Sequence, residues 1–164
     1  MTGTADTPAP LEGRAALASA LLAMAAGARH EILLLSVDLD RTLYGSEAFV
    51  EAIQRLALSS TRARVRVLVK QPRAAMQAAH RLVELGRRLP SRIEFRELAE
   101  ERRTGQHADW LIADQRCFIE RDRPDALLAR LHGEAPLLAR ARATAFLSLW
   151  EESPGCAEFR ALGL

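Results

Sequence analysis

His107-Ala108-Asp109-Trp110-Leu111-Ile112-Ala113-Asp114 runs into Gln115-Arg116 and then Cys117-Phe118-Ile119-Glu120-Arg121-Asp122. Two short apolar runs divided by a two-residue polar step at Gln115-Arg116 predict a β-hairpin. On an extended strand His107 and Asp109 point to one side, Trp110 and Ile112 to the other, and Asp114 falls at the turn. Cys117 alternates inward on the second strand.

Upstream of the hairpin, helical and strand patterns take turns. Residues 11–28 carry helical periodicity through Leu17, Leu21, Leu22 and Met24. Residues 30–37 (HEILLLSV) form a continuous apolar run, the mark of a strand buried on both faces. It empties into the polar turn Asp38-Leu39-Asp40-Arg41-Thr42. Ser46 then opens a helix with Phe49, Ile53, Leu56 and Ala57 on one face. Residues 63–69 (ARVRVLV) alternate as a second strand, and Pro72 opens a helix reaching the Gly86–Pro90 region, with His80 on its surface. Residues 92–98 (RIEFREL) alternate as a third strand, and residues 99–106 are a charged loop. Downstream of the hairpin, residues 134–152 predict a long helix in which Trp150 is a core anchor. Early strands separated by helices imply an α/β fold, a mixed β-sheet flanked by helices on both faces.

Length and composition agree. The chain has 164 residues, 49% hydrophobic and 27% charged, which suits a globular domain and excludes fibrous, collagen-like and wholly disordered chains. Residues 1–10 are expected to be a flexible N-terminal tail and residues 11–164 a single domain. The formal charge of +2 is too balanced to declare a nucleic-acid binder from charge alone. Cys117 and Cys156 supply neither a disulfide framework nor a metal spacing, which suits a reducing cytoplasm. The apolar residues 15–28 follow an acidic flank and are too short to span a bilayer, so a cytoplasmic location is expected. No Walker loop, G-x-G-x-x-G, H-E-x-x-H or G-x-S-x-G occurs, and no cofactor is implied.

The spacing of His107, Asp109 and Asp114 resembles the H-x-K-x-x-x-x-D motif of the phospholipase D superfamily, with Asp109 in the lysine position. The resemblance extends to the strand order and to a last helix ending Phe146-Leu147-Ser148-Leu149-Trp150, and covers roughly residues 29–152. It implies one half-domain of that fold. In the family one histidine attacks a phosphodiester phosphorus, a second protonates the leaving oxygen, lysines hold the phosphoryl oxygens, and the aspartate orients a histidine. Two motifs are needed. One half-domain therefore implies a homodimer with His107 near its twofold axis.

The chain departs from this pattern twice. Asp109 turns an electrostatic clamp into a repulsion of about 4 kcal/mol, for unit charges ~4 Å apart at a dielectric of ~20. The family's G-S-x-N turn is replaced by Glu120-Arg121-Asp122-Arg123-Pro124. The resemblance with these departures implies a degenerate, non-catalytic module that binds a phosphate-containing ligand or nucleic acid, or docks a protein partner. The alternative is a divergent dimeric phosphodiesterase with His107 as nucleophile, assisted by a metal.

Candidate site residues follow. His107, Asp109 and Asp114 hold the motif positions. Asp38 and Asp40, at the carboxyl end of the first strand, share a face if the chain stays extended through Leu39, and could join His107 and Asp109 around a divalent cation. They could equally cap the turn before Thr42 and Ser46. Arg62, Arg64 and Arg66 share a strand face, where guanidinium forks suit phosphate oxygens near the motif. The interleaved Glu94, Glu97, Glu100 and Glu101 equally suit a salt-bridged surface. Lys70 is the only lysine, every other basic residue being arginine, and its position in sequence places it away from the motif.

Overall fold

The computed structural model describes residues 7–76, 80–106, 108–155 and 159. The elements are β1 (Ala9–Glu12), α1 (Arg14–Gly27), β2 (Glu31–Ser36), α2 (Arg41–Tyr44), α3 (Glu47–Ser59), β3 (Arg64–Val69), α4 (Pro72–Met76), α5 (Arg81–Arg88), β4 (Ile93–Glu97), α6 (Glu100–Arg103), β5 (Asp109–Ala113), β6 (Cys117–Arg121), β7 (Leu128–His132) and α7 (Pro136–Glu152). They build one seven-stranded sheet in the order β1-β7-β6-β5-β2-β3-β4. The neighbours β2, β3 and β4 run parallel, and every other pairing is antiparallel.

The apolar run of β2 does what its pattern requires. Ile32 and Leu34 enter one core with α1, α3 and α5, while Leu33 and Leu35 enter a second core beneath α7. Ser46 caps α3 by accepting from the Phe49 N–H at 3.3 Å, and the helix buries Phe49, Ile53, Leu56 and Ala57. Such a cap contributes about 1 kcal/mol. Across the sheet, α7 buries Ala139, Ala143, Phe146 and Trp150. Gly86 lets α5 approach β4, because a Cβ there would lie 2.2 Å from the Phe95 ring.

Several expectations are corrected. Two strands carry no clear sequence pattern: β1 and β7 are short, and they pair with each other at the sheet edge. Ala9 and Pro10 lie in β1, and the first helix starts at Arg14 instead of residue 11. The helix expected from Pro72 to Gly86 is two segments. His80 is extended and caps α5, its Nδ1 accepting from the Leu82 N–H at 3.2 Å while Nε2 meets the Leu39 carbonyl at 2.9 Å. His80 is therefore buried, only 3% exposed, instead of lying on a helix surface. The hairpin turn sits one residue earlier than expected. Asp114 and Gln115 both adopt left-handed backbone (φ 54° and 53°), and the Arg116 N–H closes on the Ala113 carbonyl at 3.0 Å.

Candidate functional site

The motif is split between the two ends of β5. His107 lies outside the described residues. Asp109, two positions on, faces inward with 2% exposure, directly opposite Arg121 of β6, which is equally buried. Their closest approach is 3.6 Å. The Asp109 carboxylate also accepts from the Val37 N–H at 2.9 Å and the Ser36 hydroxyl at 3.2 Å. Burial outweighs these partners and pushes the Asp109 carboxyl up to about 6. The Tyr44 hydroxyl packs against the same pair and is pushed up by burial and then by Asp109. The carboxylate expected to repel a phosphate is thus inside the protein, paired with a cation.

Asp114 sits at the other end of the strand. Its Oδ1 accepts from the His30 and Glu31 N–H groups at 2.8 and 2.9 Å, and Oδ2 from the Arg29 N–H at 2.8 Å. It ties the start of β2 to the hairpin.

The extended turn expected to align Asp38 with Asp40 does not form. Leu39 is buried with φ 57°, so the chain is not extended between Asp38 and Asp40. Asp40 caps α2 through the Thr42 N–H at 2.9 Å and pairs with Arg14 at 3.3 Å. Burial alone would raise its carboxyl, but bonds from Thr42 and Arg14 hold it below the usual range. Asp38 is exposed. Among the described residues no group of three His, Cys, Asp or Glu side chains is placed to hold a metal ion.

Lys70 is nearer to the motif than its place in sequence implies. Its Nζ donates to the Gln106 carbonyl at 3.0 Å, in the residue preceding His107. Parallel pairing explains the approach, since β2 and β3 end side by side next to the start of β5. The residues replacing the family's G-S-x-N turn are also committed to structure. Glu120 is buried and ion-paired with Arg130 and Arg142, each at 2.8 Å. The Arg121 guanidinium donates to the Pro124 and Ala126 carbonyls.

Arg62, Arg64 and Arg66 do converge, at the end of the sheet away from Asp109. Arg64 and Arg66 lie on β3, and Arg62 just precedes it. With Arg116 from the hairpin and Arg140 from α7 they line an open cleft of about 490 Å³, shared with His30, Glu31, Asp114 and Gln115. The cleft opens where β2 and β3 begin and β5 ends, at the opposite end of the sheet from Lys70 and Gln106. Five arginines face two carboxylates, and both are engaged: Asp114 by three N–H groups, Glu31 by the Gln115 amide at 3.0 Å. The Arg64 guanidinium is fixed by the Thr61 and Ala63 carbonyls at 2.7 and 2.8 Å. Arg116 pairs with exposed Glu134 at 2.9 Å. Among the described residues Arg62 and Arg140 have no carboxylate within 4 Å. Arg116 joins this group through the hairpin turn, and Arg140 through the docking of α7, which no local pattern encodes.

A family model covering residues 13–162 matches the chain. The chain belongs to the family described as Domain of unknown function (DUF7931). No curated protein matches it significantly. Among solved structures, it is similar to TrmBL2, an archaeal chromatin protein with a novel mode of DNA binding. The TM-score is 0.66 at 13% identity over 95% of this chain, which spans 57% of that one. It is also similar to NucT from Helicobacter pylori, with a TM-score of 0.61 at 10% identity, covering 92% of this chain and 99% of that one. Nuc from Salmonella typhimurium, a phospholipase D family member, aligns with a TM-score of 0.56 at 15% identity, covering 83% and 88%. The DUF7931 chain therefore has a phospholipase D-like α/β fold. None of its helices, among the described residues, is long and apolar enough to cross a membrane.

Proposed function

We propose that this DUF7931 domain is a non-catalytic phospholipase D-like module that binds phosphate groups of nucleic acid through its arginine cleft. The observation that carries the reading is the gathering of Arg62, Arg64, Arg66, Arg116 and Arg140 around one open cleft whose two carboxylates are already engaged. Guanidinium forks bind phosphate oxygens bidentately. Absence of catalysis is supported by the burial of Asp109 against Arg121, where a phosphate-binding lysine would be needed. The DNA binding of TrmBL2, whose fold is similar, favours a nucleic-acid ligand. A homodimer, which the family resemblance implies, would place two such clefts on one particle.

The test is binding of labelled nucleic acid across a salt series by wild type and the Arg62→Ala/Arg64→Ala/Arg66→Ala variant. Affinity that falls with salt, and falls again in the variant, supports the reading. Binding indifferent to salt and to these arginines sinks it. Cleavage of a chromogenic phosphodiester that His107→Ala abolishes would overturn the non-catalytic part. Light scattering over a concentration range checks the dimer, and a monomer throughout removes it.

A further inference from the structure

We infer that the arginine cleft selects double-stranded nucleic acid and reads its phosphate backbone without regard to base sequence. The inference rests on the phosphate-binding reading above and concerns what the cleft lacks as much as what it holds. Single-strand binders add base stacking on aromatic side chains to electrostatics. Among the described lining residues there is no Phe, Tyr or Trp, and the one aromatic ring is the His30 imidazole. The indole of Trp150, within reach of Arg66, is buried, with the Arg66 guanidinium 6.0 Å and that of Arg96 4.3 Å from its centre. A base cannot stack on that ring without displacing them.

Two polar side chains of the cleft are also engaged. The Gln115 amide donates to Glu31, and the Asp114 carboxylate is filled by three backbone N–H groups. Two of the cations are spaced along a strand. Arg64 and Arg66 are two residues apart on β3, a step of about 6.6 Å, comparable to that between successive phosphates of a nucleic-acid strand. A cleft acting through charge alone favours the ligand with the greater charge density. A duplex presents one phosphate per about 1.7 Å of axis, against about 3.4 Å for one of its strands.

The experiment measures affinity by fluorescence anisotropy for duplexes and single strands of equal length, each in AT-rich and GC-rich versions, over a salt series. We expect duplexes to bind at least about threefold tighter than single strands, with AT-rich and GC-rich duplexes within about twofold of each other. Arg62→Ala and Arg140→Ala should each lower the slope of log affinity against log salt by about 0.9 for every phosphate the variant no longer neutralises. Single strands binding as tightly as duplexes, or a base-composition preference above about tenfold, overturns the inference while leaving phosphate binding in place. Failure of every probe to bind overturns the phosphate-binding reading, and this inference with it.

Discussion

At the residue scale, Asp109 is the position where family pattern and chain diverge, and its environment makes it measurable. Its carboxyl titrates near 6 in the folded protein against an ordinary value of 3.8, with desolvation the leading cause. A carboxyl whose pKa is raised by folding binds its proton more tightly in the native state. Its contribution to stability is therefore full below about pH 4 and is lost as pH rises through about 6. The slope attributable to one such group cannot exceed about 1.4 kcal/mol per pH unit. Asp109→Asn keeps an acceptor for the Val37 N–H and removes the titration. Urea midpoints measured between pH 4 and pH 8 should fall less steeply for the variant. Parallel pH profiles for the two proteins would assign the titration to another group.

At the scale of elements, two contacts set how the pieces meet. Asp114 joins the hairpin to the start of β2 through three N–H groups. Asp114→Ala should cost about 1–3 kcal/mol, and Asp114→Asn less because its oxygen can still accept from His30 and Glu31. Equilibrium denaturation of both variants checks the order. Gly86 seats α5 against Phe95. Gly86→Ala forces that ring to move and should destabilise by about 1–3 kcal/mol. Phe95→Leu in the same chain should cost less than the sum of the two single changes, because the positions are in contact.

At the scale of the whole molecule, the sheet separates two chemistries along β5. One end carries Lys70, Gln106 and the buried Asp109–Arg121 pair, and the other carries the arginine cleft. Removing arginines from the cleft should weaken polyanion binding with little change in unfolding midpoint, since Arg62 and Arg140 are exposed. Asp109→Asn, far along the strand, should leave the affinity unchanged. Anisotropy titrations of the two kinds of variant at one salt concentration check this separation.

Local pattern by itself determined much of this protein. The unbroken apolar run of β2, the alternation of β3 and β4, the cap at Ser46 and the hairpin after Ala108 are all short-range signals, and each corresponds to an element of the sheet or its helices. They suffice for the α/β class because burial on two faces and burial on one face leave different periodicities. β1 and β7 escaped because the four-residue edge strand and its neighbour show no clean alternation, and their pairing is long-range. Only tertiary structure decided the fate of charged side chains. Asp109 faces Arg121 because two antiparallel strands share a register, Lys70 reaches Gln106 because parallel strands end together, and Arg140 meets Arg62 because a helix docks across the sheet. Whether a charge is buried and paired or left open to a ligand depends on what the rest of the chain places opposite it.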